Sequence, residues 1–236
     1  MVNIDNVYQK VLVIANKEQR GYITPQEFNL LANQAQLEIF EQYFYDLNNS
    51  KLRDSGRTLN DKTTDIINQK LDLFMRTDGP GVTSGWVVSN NALLLPPEVY
   101  RVKKVTLNRV TCDYMDSDNF NEVINAGYLV KPTPKSPIWT TWNNRLRVNN
   151  GGNALTNVGL HYYIVPPTPS WGYFIIGDKA LYDPSNTKTT HFELHQAEEP
   201  ELVYKILKLA GISMKQDDIM KSGQGLESLE KQQEKL

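Results

Sequence analysis

The stretch NKEQRGYITPQE, Asn16 to Glu27, decides how the N-terminal part of the chain folds. Counted from Asn16, it puts Gly21 at position 6, Ile23 at position 8 and Glu27 at position 12, the spacing of a calcium-binding EF-hand loop. The ligand places 1, 3 and 5 hold Asn16, Glu18 and Arg20, and a guanidinium in the third of these repels a cation. No second loop pairs with it. Helix grammar accounts for the same residues without an ion. Gly21 ends a first helix in a left-handed conformation, Thr24 caps a second, Pro25 takes its first position, and Glu27 returns a hydrogen bond to complete Thr-x-x-Glu. Ile23 and Phe28 occupy the two places of a hydrophobic staple. A cap of this kind contributes on the order of 1 kcal/mol, so the stretch is expected to set a helix–turn–helix angle with no metal.

The flanks agree with a junction. Upstream, Ile4, Val7, Tyr8, Val11, Leu12 and Ala15 recur at helical spacing, with Asn3 or Asp5 near the cap. Downstream, Pro25 to about Leu47 carries Phe28, Leu31, Ala32, Ala35 and Ile39 on one face and Leu30, Leu37, Phe40 and Phe44 on another, which predicts burial on two sides. After the polar connection NNSKLRDSGR, a third stripe runs through Ile66, Ile67, Leu71 and Phe74, interrupted by the stem of Lys70. Arg76 to Gly85 reads as Gly/Pro punctuation ending the helical part.

Beyond it the apolar period changes from 3.6 to 2. WVVSNNALLLP and WTTWNNRLRVNN each read as a hairpin about an Asn pair, Asn90-Asn91 and Asn143-Asn144, because Asn tolerates the left-handed backbone of a two-residue turn. Val99 to Val110, Val158 to Val165 and Gly172 to Ile176 read as further strands, and DSDNFNEVINAG as one or two helical turns stopped by Gly127. EEPELVYKILKLAG returns to helix, with Pro200 in its first turn and Gly211 as its stop. From Met214 onward the chain is polar and weakly periodic. The expected fold is α+β: a helical bundle from the two ends of the chain, with an antiparallel β-sandwich or small barrel inserted. The expected regions are an N-terminal helical part over 1–79, a β-rich insert over 80–195, and a C-terminal helix and tail over 196–236.

Composition narrows the function. A chain of 236 residues buries a sizeable core without staples. A formal charge of -2 with no run of like charge does not favour a sequence-independent grip on nucleic acid or an anionic membrane. The single cysteine, Cys112, excludes an internal disulfide and a cysteine-rich zinc site. No apolar run approaches a membrane span and no secretion signal is visible, so the expectation is a chain made in the cytosol that starts here.

No catalytic grouping is legible. His191 and His195 stand four apart with Glu198 and Glu199 following, but the order is not H-E-x-x-H, and a Thr-rich approach predicts extended backbone that would separate the rings by about 13 Å. DGPGVTSG lacks the Lys and Ser/Thr ending of a phosphate loop, and there is no G-x-S-x-G elbow. The pairs Asp217-Asp218 and Glu198-Glu199 read as solvated surface, and the proline clusters as rigid turns at strand ends. The expectation is a non-enzyme without cofactor or metal. Trp139, Trp142, Trp171, His191 and His195 are the candidate interface residues. An alternative makes the chain a β-rich receptor- or glycan-binding tail component, with Trp86, Trp139, Trp142 and Trp171 as stacking platforms.

DNVYQKVL, GYITPQEFNLLANQAQLEIFEQYF, LPPEVYRVKKV, KPTPKSPIW, LHYYIVPPTPSW, and HFEL followed by PELVYKILKLAGI together resemble virion structural proteins of tailed bacteriophages, in particular the short-tailed and crAss-like groups. The likeness covers most of the chain and is one of layout and composition. It implies a ring protein of the neck or tail, a head-to-tail adaptor at or below the portal. The implied partners are other copies of itself in a dodecamer, the portal, and adjacent ring proteins. Packaged DNA would pass through without sequence-specific binding, and no membrane is involved. The segment from Met214 is expected to order against the portal or a neighbouring ring.

Overall fold

The computed structural model describes residues 1–17, 23–53, 61–78, 88–89, 92–125, 127, 131–152, 155, 157–177, 179–185, 187–213 and 228. In chain order, three helices come first: α1 (Ile4–Lys17), α2 (Pro25–Arg53) and α3 (Asp61–Asp72). Strands β1 (Met75–Asp78), β2 (Val88–Ser89), β3 (Ala92–Leu94), β4 (Val99–Leu107), β5 (Val110–Thr111) and β6 (Asp113–Tyr114) follow, then α4 (Ser117–Asn125). The chain continues through β7 (Ile138–Trp142), β8 (Arg145–Asn149), β9 (Val158–Ile164), β10 (Tyr173–Ile176) and β11 (Lys179–Tyr182) to α5 (Glu199–Ser213). The fold is α+β, in two compact units: Met1–Leu73 with Pro166–Leu236, and Phe74–Val165.

In the helical unit, α2 packs against α3 and α5, and α1 against α5. The stripe of α1 is buried at Ile4, Val7, Tyr8, Val11 and Ala15. Asn3 caps α1, its side-chain oxygen accepting the N–H groups of Asp5 and Asn6 at 2.8 and 3.4 Å. On the first apolar face of α2, Phe28, Ala32, Ala35 and Ile39 are buried; on the second, Phe40 and Phe44 are buried but Leu37 is only half-buried and Leu30 is exposed, so burial on two sides holds for the C-terminal half of the helix and not for its start. This helix runs past Leu47 to Arg53, where the sequence reads as a polar connection. Likewise α5 does not stop at Gly211 but passes through it to Ser213, and Gly211 is buried. Packing there outweighs the roughly 1 kcal/mol that glycine costs inside a helix.

The chain rejoins this unit at Pro166, not at residue 196. Asn29 and Gln36, seven apart and so on one face of α2, hold the returning segment through its backbone. Trp171 N–H donates to Asn29 Oδ1 at 2.7 Å, and Gln36 Nε2 donates to the Pro167 carbonyl at 2.9 Å. Gln36 also accepts the N–H of Glu193 at 3.3 Å. Val2 and Phe192 form an antiparallel bridge, so Pro166 to His195 packs with the helices and does not belong to the β insert.

The second unit contains two sheets, of strand order β1-β9-β4-β5 and β2-β3-β8-β7-β6. Leu93, Leu95, Trp139, Leu146 and Val148 from one, and Val105, Leu107, Val158, Leu160 and Tyr162 from the other, share one apolar cluster. Asn143 and Asn144 have φ of 48° and 57° and join β7 to β8 as a two-residue turn. Asn90-Asn91 lies outside the described residues; the strands on either side pair antiparallel. The insert is not purely antiparallel, since Asp113 and Tyr114 run parallel to Ile138 and Trp139. The long strand ends at Leu107, where Asn108 and Arg109 (φ 50° and 70°) turn it into β5. Met75–Asp78, which overlaps the start of the expected punctuation at Arg76, is a strand on the edge of β9.

Candidate interface surfaces

The helix junction is built from its caps. Thr24 Oγ1 accepts the Glu27 N–H at 3.3 Å while Glu27 Oε2 accepts the Thr24 N–H at 2.9 Å and the Thr24 hydroxyl at 2.8 Å. This is the reciprocal capping box expected of Thr-x-x-Glu. The bonds from Thr24 hold the Glu27 carboxyl below its ordinary value, the backbone N–H contributing most. Pro25 opens α2, and Ile23 and Phe28 are both buried. Tyr8 of α1 donates its hydroxyl to the Ile23 carbonyl at 3.3 Å and sets its ring 4.6 Å from Phe28. Gly21 lies outside the described residues.

Both histidines are tied to backbone. His191 Nδ1 accepts the N–H of Ile4 at 3.3 Å, closing the first turn of α1, and His195 Nδ1 accepts the N–H of Ala197 at 3.2 Å, capping a short 3-10 turn. Each interaction occupies one ring nitrogen in holding a helix start. Among the described residues no group of three His, Cys, Asp or Glu is placed to hold a metal ion.

The tryptophans divide. Trp171 is buried against Tyr8, stacks on Tyr173 and Tyr182, and donates its indole N–H to Asp5 Oδ1 at 2.9 Å. Trp139 is buried in the second unit's cluster. These two are spent inside the chain, Trp139 on the buried part of β7 and Trp171 against the rings of Tyr8, Tyr173 and Tyr182. Trp142, at the end of β7, is 59% exposed. Trp86 lies outside the described residues.

Charges that read as surface in the sequence are partly interior. Glu198 pairs with Lys70 at 2.6 Å, the side chains 4% and 18% exposed, and the Lys70 ammonium lies 5.7 Å from the centre of the Tyr43 ring. Lys205, on α5, is buried between Glu201 at 3.6 Å and Gln42 at 3.4 Å. Glu199 meets Lys10 of α1 at 2.7 Å. These bonds tie α1, α2 and α3 to the start of α5. Glu201 and Lys205 stand four apart on α5, but sequence spacing gives no sign of the other pairs, because each joins segments distant in the chain.

Among the described residues, the surface of the helical unit carries an apolar hairpin and an open groove. Hairpin β10–β11 turns at Gly177, with φ of 55°, and exposes Phe174, Ile175, Ile176 and Leu181, Ile175 by 68% and Ile176 by 61%. Its base is fixed by the stack of Tyr173 and Tyr182 on Trp171. An open groove of about 600 Å³ runs along α2, lined by Leu30, Gln34, Leu37, Glu38 and Glu41 together with Lys205. No helix among the described residues is long and apolar enough to cross a membrane. A scan against protein-family models and a search of curated proteins both return no match for the chain.

Proposed function

We propose that this chain is a structural ring subunit of the neck or tail of a tailed bacteriophage, joining portal to tail around the DNA path. The observation that carries the reading is the β10–β11 hairpin. A two-stranded hairpin is marginal by itself, and here a buried tryptophan stack anchors it while four large apolar side chains face solvent. Such an arm suits insertion into a neighbouring copy. A contact in which one patch meets a different patch on the next subunit closes into a ring when the rotation closes. The sequence resemblance points the same way and implies twelvefold assembly.

Light scattering and negative-stain electron microscopy of the purified chain test this, with Ile175→Lys/Ile176→Lys as the disrupting variant. The expected result is a closed ring for the native chain and smaller species for the variant at equal thermal stability. A native chain that stays monomeric at all concentrations, and is absent from purified virions, overturns the reading.

A further inference from the structure

Charge is distributed unevenly between the two units. The β-rich unit, Phe74–Val165, carries nine basic against six acidic residues, a formal +3, while the rest of the chain carries 16 basic against 21 acidic, a formal -5. Within the β unit the positive charge gathers on one sheet. Strands β9, β4 and β5 contain Arg101, Lys103, Lys104 and no acidic residue.

Register decides which face they occupy. Arg101 is opposite Tyr163, Lys104 opposite His161 and Thr106 opposite Gly159, whereas Val102, Val105 and Leu107 are opposite Tyr162, Leu160 and Val158, all core. Directly opposed residues share a face, so Arg101, Lys104 and Thr106 lie together on the side away from the core. Thr111, opposite Thr106, adds a hydroxyl to it, whereas the Thr77 hydroxyl bonds His161 Nδ1 at 3.1 Å and the Thr106 hydroxyl donates to the Gly159 carbonyl at 3.4 Å. The pairing slips twice, once around Tyr100 and once around Lys103. The second slip is a bulge that breaks the alternation and leaves Lys103 exposed beside Lys104, its ammonium 5.5 Å from the Tyr163 ring centre.

We infer that this face, centred on Arg101, Lys103 and Lys104 with the hydroxyl of Thr111, binds the phosphate backbone of duplex DNA without regard to sequence. Lysine, arginine and threonine hydroxyls are the groups that grip phosphates. Tyr163, opposite Arg101 on this face, is buried and offers no stacking platform of the kind that holds single strands. His161, half-buried on the same face, is held below its ordinary value mainly by burial, with smaller contributions from the neighbouring Lys104 and Lys103 charges. A net charge of -2 hides the patch, because the acidic helical unit cancels it in the sum. The choice of duplex DNA as the polyanion rests on the ring reading above.

Fluorescence anisotropy of the full chain with a random-sequence duplex tests the inference, with oligomeric state measured on the same samples by light scattering. Saturable binding is expected at 50 mM salt. With three phosphate contacts, affinity should fall about 40-fold between 50 and 200 mM. Arg101→Gln/Lys103→Gln/Lys104→Gln should lose at least about tenfold in affinity and most of the salt slope. Lys179→Gln/Lys188→Gln, in the other unit, should leave both unchanged. If the triple variant proves unstable, Lys104→Gln alone should reduce the slope by about one contact. Assembly into rings without duplex binding overturns this inference and leaves the ring reading standing, whereas binding by a chain that never assembles does the reverse. Displacement of the duplex by poly-L-glutamate at equal charge would assign the face to an acidic protein surface and overturn the DNA assignment.

Discussion

Lys70→Met should destabilise the helical unit more than Glu198→Gln, and the order follows from how each partner of the ion pair is housed. The Glu198 side chain is 4% exposed and loses its ammonium partner in Lys70→Met, leaving a carboxylate that water barely reaches. Removing one member of a buried pair costs about 3–5 kcal/mol. In Glu198→Gln the remaining charge is Lys70, 18% exposed on a long stem and lying near the Tyr43 ring, so its head can reach solvent. That change should cost about 1–3 kcal/mol, the scale of a lost charged hydrogen bond. The double variant Lys70→Met/Glu198→Leu should recover most of the loss, since a well-packed apolar pair often matches a buried ion pair. Urea unfolding followed by circular dichroism at 222 nm is the assay, because α1, α2, α3 and α5 all belong to the helical unit. A loss below about 1 kcal/mol for Lys70→Met, or a double variant worse than both singles, would refute the reasoning.

Other outcomes test other parts of the molecule. Thr24→Ala should cost on the order of 1 kcal/mol in urea melts and be indifferent to calcium; a melting temperature that rises with added calcium would contradict the junction. Glu27 has a folded-state pKa below its ordinary 4.5, so its stabilisation is complete above that value and fades as pH falls through the lower folded one; Glu27→Gln should flatten this part of the acid melt. Asn144→Val should cost about 1–2 kcal/mol and Asn144→Gly should be neutral or stabilising, read from thermal unfolding, because φ is 57° there. Cys112 is buried and its thiol is pushed up to about 11 by burial and by the Asp113 charge, so a disulfide reagent at pH 8 should label it only as the β unit opens. Labelling at the rate of a free thiol in native buffer would contradict that burial.

What the sequence discloses here is mainly local. The capping box, the α1 stripe and the Asn143-Asn144 turn each depend on residues within a few positions of one another. Asn108-Arg109 carries half of the same turn signal, but arginine has no intrinsic preference for φ of 70°, and the alternation of VYRVKKVTLNRV reads straight through it. The partner of β10 is not legible in the sequence, although Gly177 follows the strand with φ of 55°. β1, the burial of Glu198 and Lys205, and the register that gathers Arg101, Lys103 and Lys104 were not legible, because pairing across scores of residues decides them. Trp139 and Trp171 show the limit for interface residues: an aromatic at a strand end suits core or contact equally until burial is known.

The place of the β unit within the chain also bears on how the protein is made. Residues Phe74–Val165 are contiguous, so all partners of that unit are present once Val165 leaves the ribosome. The helical unit is split: α5, which covers α1 and α2, begins at Glu199, and the Val2 bridge waits for Phe192. At about 5–20 residues per second, the roughly 130 residues between Asp72 and Glu199 take on the order of 6–25 s to synthesise. During that interval the apolar stripes of α1 and α2 lack their cover, and the inserted unit can complete first. Nascent-chain protection by a chaperone would therefore matter most for the part of the protein translated earliest and finished last.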